Sequence, residues 1–142
     1  MNTFDFTGKR VLVTGASRGI GLGVARGFAQ AGAALSIIAT NDTVHESAAT
    51  LAAETGNPVQ GLICDITDRA RVAEVVGGLG RLDVLVNNAG YERLTPIDEP
   101  GDAVEEVFRR IIDINVMGTY YVTREVVKTM EPGGRIVITA SV

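Results

Sequence analysis

The sequence is poor in cysteine, histidine and aromatic residues. Its 142 residues include one cysteine, one histidine and no tryptophan, and aromatic residues make up 5%. One cysteine cannot form an intramolecular disulfide or supply a cysteine-rich metal site, so we expect no metal. This cysteine usage is typical of a reducing compartment and favours a cytoplasmic protein. The few aromatic side chains argue against a platform for stacking nucleic-acid bases.

Excess positive charge and long apolar runs are also absent. Lys plus Arg number 13 and Asp plus Glu number 17, which gives a net charge of −4 with histidine neutral. Such a chain has no general attraction to nucleic acid or to anionic membranes. No stretch reaches the roughly 18 apolar residues that a membrane span needs, and the N-terminus lacks the apolar core of a signal peptide. We therefore expect neither nucleic acid nor a membrane as a partner.

What is present is an ordinary globular composition, 46% hydrophobic, of a length that allows one domain, residues 1–142. Short apolar runs alternate with segments of helical period. The runs predict strands at 10–14, 35–39, 59–64, 82–86 and 135–140. The periodic segments predict helices at 19–31, 43–55, 68–76 and from Asp102 to about Met130. Capping boxes at Thr43/Glu46 and Asp102/Glu105 support two of the helix starts. This alternation predicts an α/β fold with a parallel sheet that helices cover on both faces.

A glycine-rich turn connects the first predicted strand to the first predicted helix. It reads Thr-Gly-Ala-Ser-Arg-Gly-Ile-Gly over residues 14–21. Glycines let the backbone approach a pyrophosphate closely, and the helix N-terminus attracts the anion. The alternative is a glycine-rich connection without a ligand, but the strand–turn–helix context favours a nucleotide site. The turn is not a P-loop, because no Gly-Lys-Ser/Thr follows.

With glycines at 15, 19 and 21, the chain resembles the short-chain dehydrogenase/reductase family, including members like 3-oxoacyl-ACP reductase. The resemblance covers all 142 residues and rests on five motifs in order. They are the glycine turn, an Asp after the third strand (Asp65), Asn-Asn-Ala-Gly at 87–90, Asn-Val at 115–116, and a fifth strand closing on Ser141. The resemblance implies a Rossmann-like doubly wound sheet of strand order 3-2-1-4-5 that stops before the family's later strands.

The resemblance also implies residue roles. Its dinucleotide-binding residues correspond to Gly15, Ser17, Arg18, Gly19, Ile20, Gly21, Thr40, Asp65, Ile66, Asn87, Ala89 and Gly90. Its catalytic serine, which holds the substrate oxygen, corresponds to Ser141. Its helical asparagine, which orders water in a proton relay, corresponds to Asn115. From the residues alone, Asp65 could instead be a helix cap or a turn residue, and the two adjacent asparagines could serve a turn. Asn115 could be a structural asparagine buried among apolar neighbours.

The family's acid/base pair is a Tyr followed four residues later by Lys. In the printed sequence Tyr91, Tyr120 and Tyr121 are followed at that spacing by Thr95, Arg124 and Glu125. We therefore expect a chain ending at Val142 to bind a dinucleotide without reducing a carbonyl. Two explanations of the missing pair are open: the chain is part of a longer enzyme, or it is an inactive fragment.

Three functions remain open at this point. The first is an oxidoreductase that moves hydride between a nicotinamide cofactor and a small carbonyl or secondary alcohol. The second is a dinucleotide-binding module without catalysis. The third is a methyltransferase with a nucleoside cofactor. The end of the second strand, Ala39-Thr40-Asn41, argues against it because no acidic residue is there to bind a ribose.

The same absence of an acid bears on the choice of cofactor. Proteins that bind NAD usually have Asp or Glu at this position, about 20 residues past the glycine turn. Arg18 in the turn can pair with a 2′-phosphate, so we expect NADP(H) to be favoured over NAD(H), although Asp42 lies nearby.

The helix predicted from Asp102 to Met130 carries apolar residues around most of its circumference. One face can meet the sheet, and another needs a different neighbour. We therefore expect a homodimer or homotetramer through this helix, as the resemblance also implies.

Overall fold

The computed structural model describes residues 3–99 and 101–141, and within them five strands form one parallel sheet in the order β3-β2-β1-β4-β5. The strands are β1 (Arg10–Thr14), β2 (Ala34–Ala39), β3 (Val59–Ile63), β4 (Val84–Asn87) and β5 (Arg135–Ile138). The helices are α1 (Gly19–Gln30), α2 (Thr43–Thr55), α3 (Arg69–Gly77), α4 (Asp102–Ile112) and α5 (Thr119–Val127), and a π-helix (Asp113–Gly118) joins α4 to α5. The predicted α/β class and strand order are confirmed, with strand and helix ends shifted by one or two residues.

The central strands are buried on both faces, as their unbroken apolar sequences predict. In β1 the residues from Val11 to Thr14 are each at most 1% exposed. Two apolar clusters lie on opposite faces of the sheet. One contains residues of α1 and α2, and the other contains residues of α3 and α5. Burial of each Val, Leu or Ile side chain stabilises the fold by about 1.5–3 kcal/mol, so these two layers hold the strand ends in place.

The predicted single helix from Asp102 to Met130 is wrong in one respect, because the π-helix at Asp113–Gly118 interrupts it. No residue of α4 is buried, whereas Val122 and Val126 of α5 pack into the core. Gly118 lies against Ile66, and a Cβ there would stand 2.5 Å from the Ile66 Cγ1 atom. The π turn thus occurs where the helix approaches the segment after β3, and it changes the direction in which the next residues face.

Both predicted capping boxes are also wrong. The residue that caps α2 is Asp42, whose side chain makes no capping hydrogen bond. The residue that caps α4 is Gly101, and Glu105 instead pairs with Arg109 at 2.7 Å. A side chain that pairs one turn ahead on its own helix cannot also reach back to the helix start.

None of the helices in the described parts of the chain is long and apolar enough to cross a bilayer.

Candidate dinucleotide site

A cavity of about 500 Å³ lies where the carboxyl ends of the strands meet. This is the edge at which doubly wound sheets bind ligands, and the volume is within the range of small-molecule sites. Its lining comes from segments far apart in sequence: Gly15, Ser17, Arg18, Gly19, Ile20, Gly21, Ile38, Ala39, Thr40, Asn41, Cys64, Asp65, Ile66, Asn88, Ala89, Gly90, Tyr91, Arg110, Ile114 and Thr139. The structure therefore brings together every residue predicted to bind the dinucleotide except Asn87.

The Thr14 side chain joins the end of β1 to the loop after β4. Its hydroxyl oxygen accepts hydrogen bonds from the backbone N–H groups of Asn88, at 3.0 Å, and Ala89, at 2.9 Å. Thr14 is 1% exposed, so both donors would lose their acceptor in a place that water reaches poorly if the hydroxyl were removed. This one hydroxyl fixes the distance between two walls of the cavity.

Asn88 extends the same network to the end of β5. Its side-chain amide donates to the carbonyl oxygen of Gly15 at 3.2 Å, and its Oδ1 accepts from the Thr139 hydroxyl at 3.2 Å. The two adjacent asparagines of the motif therefore have different roles. Asn88 lies at the cavity, whereas Asn87 is 3% exposed and its amide nitrogen donates to the Thr123 hydroxyl of α5 at 3.0 Å. The prediction that Asn87 lines the dinucleotide site is not supported, because alternation along β4 turns its side chain to the opposite direction.

The glycine turn is closely packed on one side and open on the other. A Cβ on Gly21 would stand 2.2 Å from the Gly15 carbonyl oxygen and 2.5 Å from the Asn88 amide nitrogen. Gly19 has a φ of +59° and nothing within 4 Å of its Cβ position. The packed side needs glycine for space, and the open side exposes backbone to the cavity.

The N-terminus of α1 carries no side-chain cap and no acidic residue in its first turn. Its first backbone N–H groups have no partner within the helix, and the helix dipole adds partial positive charge there. Around this turn, Ala16 N–H donates to the Ile38 carbonyl at 3.3 Å, and the Ser47 hydroxyl donates to the Ser17 carbonyl at 2.8 Å. The turn is thus held by β2 and α2, and it presents donors suited to a pyrophosphate.

Asp65 closes a turn after β3 and does not cap α3. Its Oδ1 accepts from the backbone N–H of Thr67 at 2.9 Å and from the Thr67 hydroxyl at 2.8 Å, which closes a turn. The cap of α3 is Asp68, which accepts from the Arg71 N–H at 3.0 Å. Asp65 is nevertheless exposed at the cavity wall beside Ile66, so a ligand can reach its carboxylate.

Cys64 reaches the cavity wall but is only 2% exposed. Burial raises the pKa of its thiol to about 11, and the nearby Arg71 lowers it by a smaller amount. The side chain is therefore a neutral thiol at neutral pH and acts as a small apolar group.

Asn115 is exposed, which corrects the expectation of a buried amide. Its side chain holds the backbone of Tyr91 at both ends. The Tyr91 N–H donates to Asn115 Oδ1 at 2.8 Å, and the Asn115 amide donates to the Tyr91 carbonyl at 2.9 Å. Asn115 lies in the π-helix, and its side chain points toward the loop after β4. Both of its polar atoms form hydrogen bonds there although the residue is not buried. Asn115 and Ser141 are not part of the cavity lining, and Ser141 lies exposed beyond the end of β5.

Sequence reasoning missed three residues of the lining that come from later elements: Arg110, Ile114 and Thr139. Arg110 and Ile114 are four residues apart, which places them on one helix face. This spacing could have identified the two residues as part of the cavity only if the helix had been known to cross it. Thr139 immediately follows β5 and could have been found as a polar residue at a strand end.

An open parallel sheet of order 3-2-1-4-5, with a glycine turn between its first strand and first helix, defines a doubly wound, Rossmann-like α/β protein. The family model for short chain dehydrogenase matches residues 9–142, and the chain belongs to this family.

Relatives and a solved structure agree with this assignment. The chain is 35% identical to 2-dehydro-3-deoxy-D-gluconate 5-dehydrogenase of Pseudoalteromonas atlantica, over 99% of this chain and 57% of that protein. It is 39% identical to galactitol 2-dehydrogenase of Agrobacterium fabrum, over 94% and 52%. The L-sorbose reductase of Gluconobacter frateurii, solved with NADPH and L-sorbose, superposes with a TM-score of 0.84 at 32% identity, over 99% of this chain and 55% of that one. The chain thus spans about half the length of the relatives that it matches.

Proposed function

We propose that the chain is the dinucleotide-binding part of an oxidoreductase that moves hydride between a nicotinamide cofactor and a small carbonyl or secondary alcohol. The observation that carries this proposal is the uncapped N-terminus of α1, which lies at the cavity of about 500 Å³. At Gly19 no side chain covers the backbone of the turn, so its N–H groups are accessible from the cavity. The backbone donors at this end of the cavity suit the pyrophosphate of a dinucleotide. Similarity to relatives named as dehydrogenases supports the reaction class.

NADP(H) is the cofactor that the charges at the cavity favour. Arg18 lies at the cavity wall together with Thr40 and Asn41, which follow β2. Asp42, the carboxylate that could repel a 2′-phosphate, is not part of the lining. A guanidinium can form charge-assisted hydrogen bonds with a phosphate, and the two neutral side chains can accommodate it. The NADPH bound in the related L-sorbose reductase is consistent with this preference.

We expect Arg18→Ala to weaken NADP(H) binding by about tenfold or more and NAD(H) binding by less than about threefold, because only NADP(H) carries the 2′-phosphate. Calorimetric titration of the 142-residue chain with each cofactor measures both values. Arg69→Ala is the matched control, since Arg69 is exposed at the start of α3 and outside the cavity. Equal losses for the two cofactors on Arg18→Ala would contradict the preference.

In this proposal the chain's own residues bind and orient. Gly15 to Gly21 hold the pyrophosphate, Asp65 and Ile66 the adenine end, and Ala89 and Gly90 the ribose. A nicotinamide cofactor held by these residues would supply the hydride chemistry. Ser141 donates a hydrogen bond to the substrate oxygen and so orients it. Asn115 fixes the loop after β4 through Tyr91 and is also suited to order a water molecule. A serine hydroxyl is a poor acid at neutral pH, so the proton must come from another group.

We also propose that α4 and α5 form the contact between subunits of a homodimer or homotetramer. Phe108 and Tyr120 are each 53% exposed, and α4 has no buried residue in the described structure. Large apolar side chains that stay exposed on neighbouring helices are typical of an interface. Sedimentation of the full-length protein should show an oligomer at micromolar concentration, and a monomer there would contradict the proposal.

Two classes of substrate are compatible with this reaction, sugar acids and neutral polyols or sugars. The relatives above include one named for a sugar acid and others named for neutral polyols or sugars. A carboxylate on the substrate is the difference between them.

A further inference from the structure

Two arginines converge on one tyrosine at the edge of the cavity. The guanidinium carbon of Arg110, in α4, lies 5.7 Å from the centre of the Tyr91 ring. The Nε of Arg93, in the loop after β4, donates to the Tyr91 hydroxyl at 3.2 Å. Asn115 holds the backbone of Tyr91 through two hydrogen bonds, and the two arginines contact its ring and its hydroxyl.

Neither arginine has a carboxylate partner in the part of the chain that the structure describes. Four other arginines are paired with acids: Arg26 with Glu54, Arg71 with Glu74, Arg81 with Asp83 and Glu131, and Arg109 with Glu105. The remaining arginines of the described residues form no ion pair either, so what distinguishes Arg93 and Arg110 is that both contact Tyr91. Arg109 and Arg110 are neighbours on the same helix, yet only Arg109 forms an ion pair. Two cations brought to one neutral ring repel each other, and an anion bound beside them would remove that repulsion.

The position of the cluster separates it from the groups proposed to hold the cofactor phosphates. The pyrophosphate is served by the N-terminus of α1 and the 2′-phosphate by Arg18. Arg110 and Tyr91 line the same cavity from α4 and from the loop after β4, beside Ile114. A second anion at this wall therefore belongs to another molecule in the same site.

We propose that Tyr91, Arg93 and Arg110 form a carboxylate-binding site for the substrate, which makes that substrate a polyhydroxy acid or its oxo derivative rather than a neutral polyol. This inference rests on the proposed function. A guanidinium binds a carboxylate with two parallel hydrogen bonds, and the aromatic ring below keeps the guanidinium plane oriented. Arg110 is the main ligand because it lies at the cavity wall, and Arg93 adds a second positive charge.

Gluconate and sorbitol are the matched probes, since they differ in a carboxylate against a hydroxymethyl group. Both are titrated into the 142-residue chain, with and without saturating NADP⁺, and the dissociation constants are read from NMR chemical-shift changes. We expect gluconate to bind about tenfold more tightly than sorbitol at low salt, and the difference to shrink as salt is raised. Arg110→Gln should remove the difference and leave sorbitol binding within about twofold. Arg93→Gln should reduce the difference in part.

Arg109→Gln is the control, because it removes the same charge one residue away from a side chain that is already paired with Glu105. It should leave the preference for gluconate unchanged. Equal binding of gluconate and sorbitol by the unaltered chain would overturn the proposal. So would an equal effect of the two substitutions, or an Arg110→Gln variant that loses NADP⁺ affinity and keeps its preference for gluconate.

NADP⁺ titrated alone keeps the two proposals apart. If NADP⁺ fails to bind while gluconate is preferred through Arg110, the cofactor assignment fails and the carboxylate site is upheld. If NADP⁺ binds and gluconate is not preferred, the carboxylate site is overturned and the cofactor assignment is upheld.

Discussion

Gly21→Ala is expected to abolish dinucleotide binding and to destabilise the fold. The added Cβ would stand 2.2 Å from the Gly15 carbonyl oxygen and 2.5 Å from the Asn88 amide nitrogen. Backbone on one side and a hydrogen-bonded amide on the other leave little room for relaxation. The turn must open, which breaks the bond from Asn88 to Gly15 and moves the donors at the start of α1. We expect dinucleotide affinity to fall by about 100-fold or more and the free energy of unfolding by about 1–3 kcal/mol.

Gly23→Ala is the matched control, two residues further along α1. Its Cβ position has nothing within 4 Å, and its backbone is helical. The substitution should raise the free energy of unfolding by about 0.5–1 kcal/mol and leave cofactor affinity unchanged. Urea titration and calorimetry measure the two quantities for each variant. If both variants bind the dinucleotide equally well, close packing of the turn is not what the site needs.

Thr14→Val is expected to cause the second large effect. Valine has nearly the same shape as threonine, so the substitution removes the hydroxyl and little else. The N–H groups of Asn88 and Ala89 then lose their shared acceptor at a residue that is 1% exposed. An unsatisfied buried donor costs about 1–3 kcal/mol, so two should lower the free energy of unfolding by about 2–6 kcal/mol. The loop after β4 should also exchange its amide hydrogens faster.

Thr14→Ser restores the hydroxyl without the methyl group and should recover most of the lost stability. Urea denaturation of the three proteins separates the hydrogen bond from the packing of the side chain. Comparable losses for the valine and serine variants would show that the methyl group, rather than the hydroxyl, stabilises this position.

The sequence was sufficient to predict the sheet and most of the cavity because both depend on local patterns. Runs such as Val11–Val13 are apolar without alternation, which only a strand buried on both faces requires. The cavity followed from the same reasoning, since the residue after each parallel strand must lie at the same edge. The residues of the glycine turn, Asp65 and Ala89 are at the positions that this argument gives.

The errors lie where a side chain's partner is distant in sequence. Nothing local distinguishes Asn87 from Asn88, and only the direction of β4 decides which one faces the cavity. Asn115 was expected to be buried because its neighbours are apolar, but a π turn allows it to remain exposed with both of its polar atoms bonded to Tyr91. The π turn ends at Gly118, which lies against Ile66, 52 residues away in the numbering, and no local pattern indicates that contact.

The central position of β1 also has a consequence for the synthesis of the chain. β1 is made before the other strands of this sheet, but one of its two neighbours is β4, with Val11 paired to Val84. At a translation rate of about 5–20 residues per second, β1 waits about 4–15 s for that partner. During this time β1 and β2 can pair, while the other edge of β1 and its apolar side chains stay open to other chains and to chaperones. Asn88 and Ala89, which close the nucleotide turn through Thr14, arrive directly after β4. The network that closes the glycine turn therefore forms only after β4 has been made.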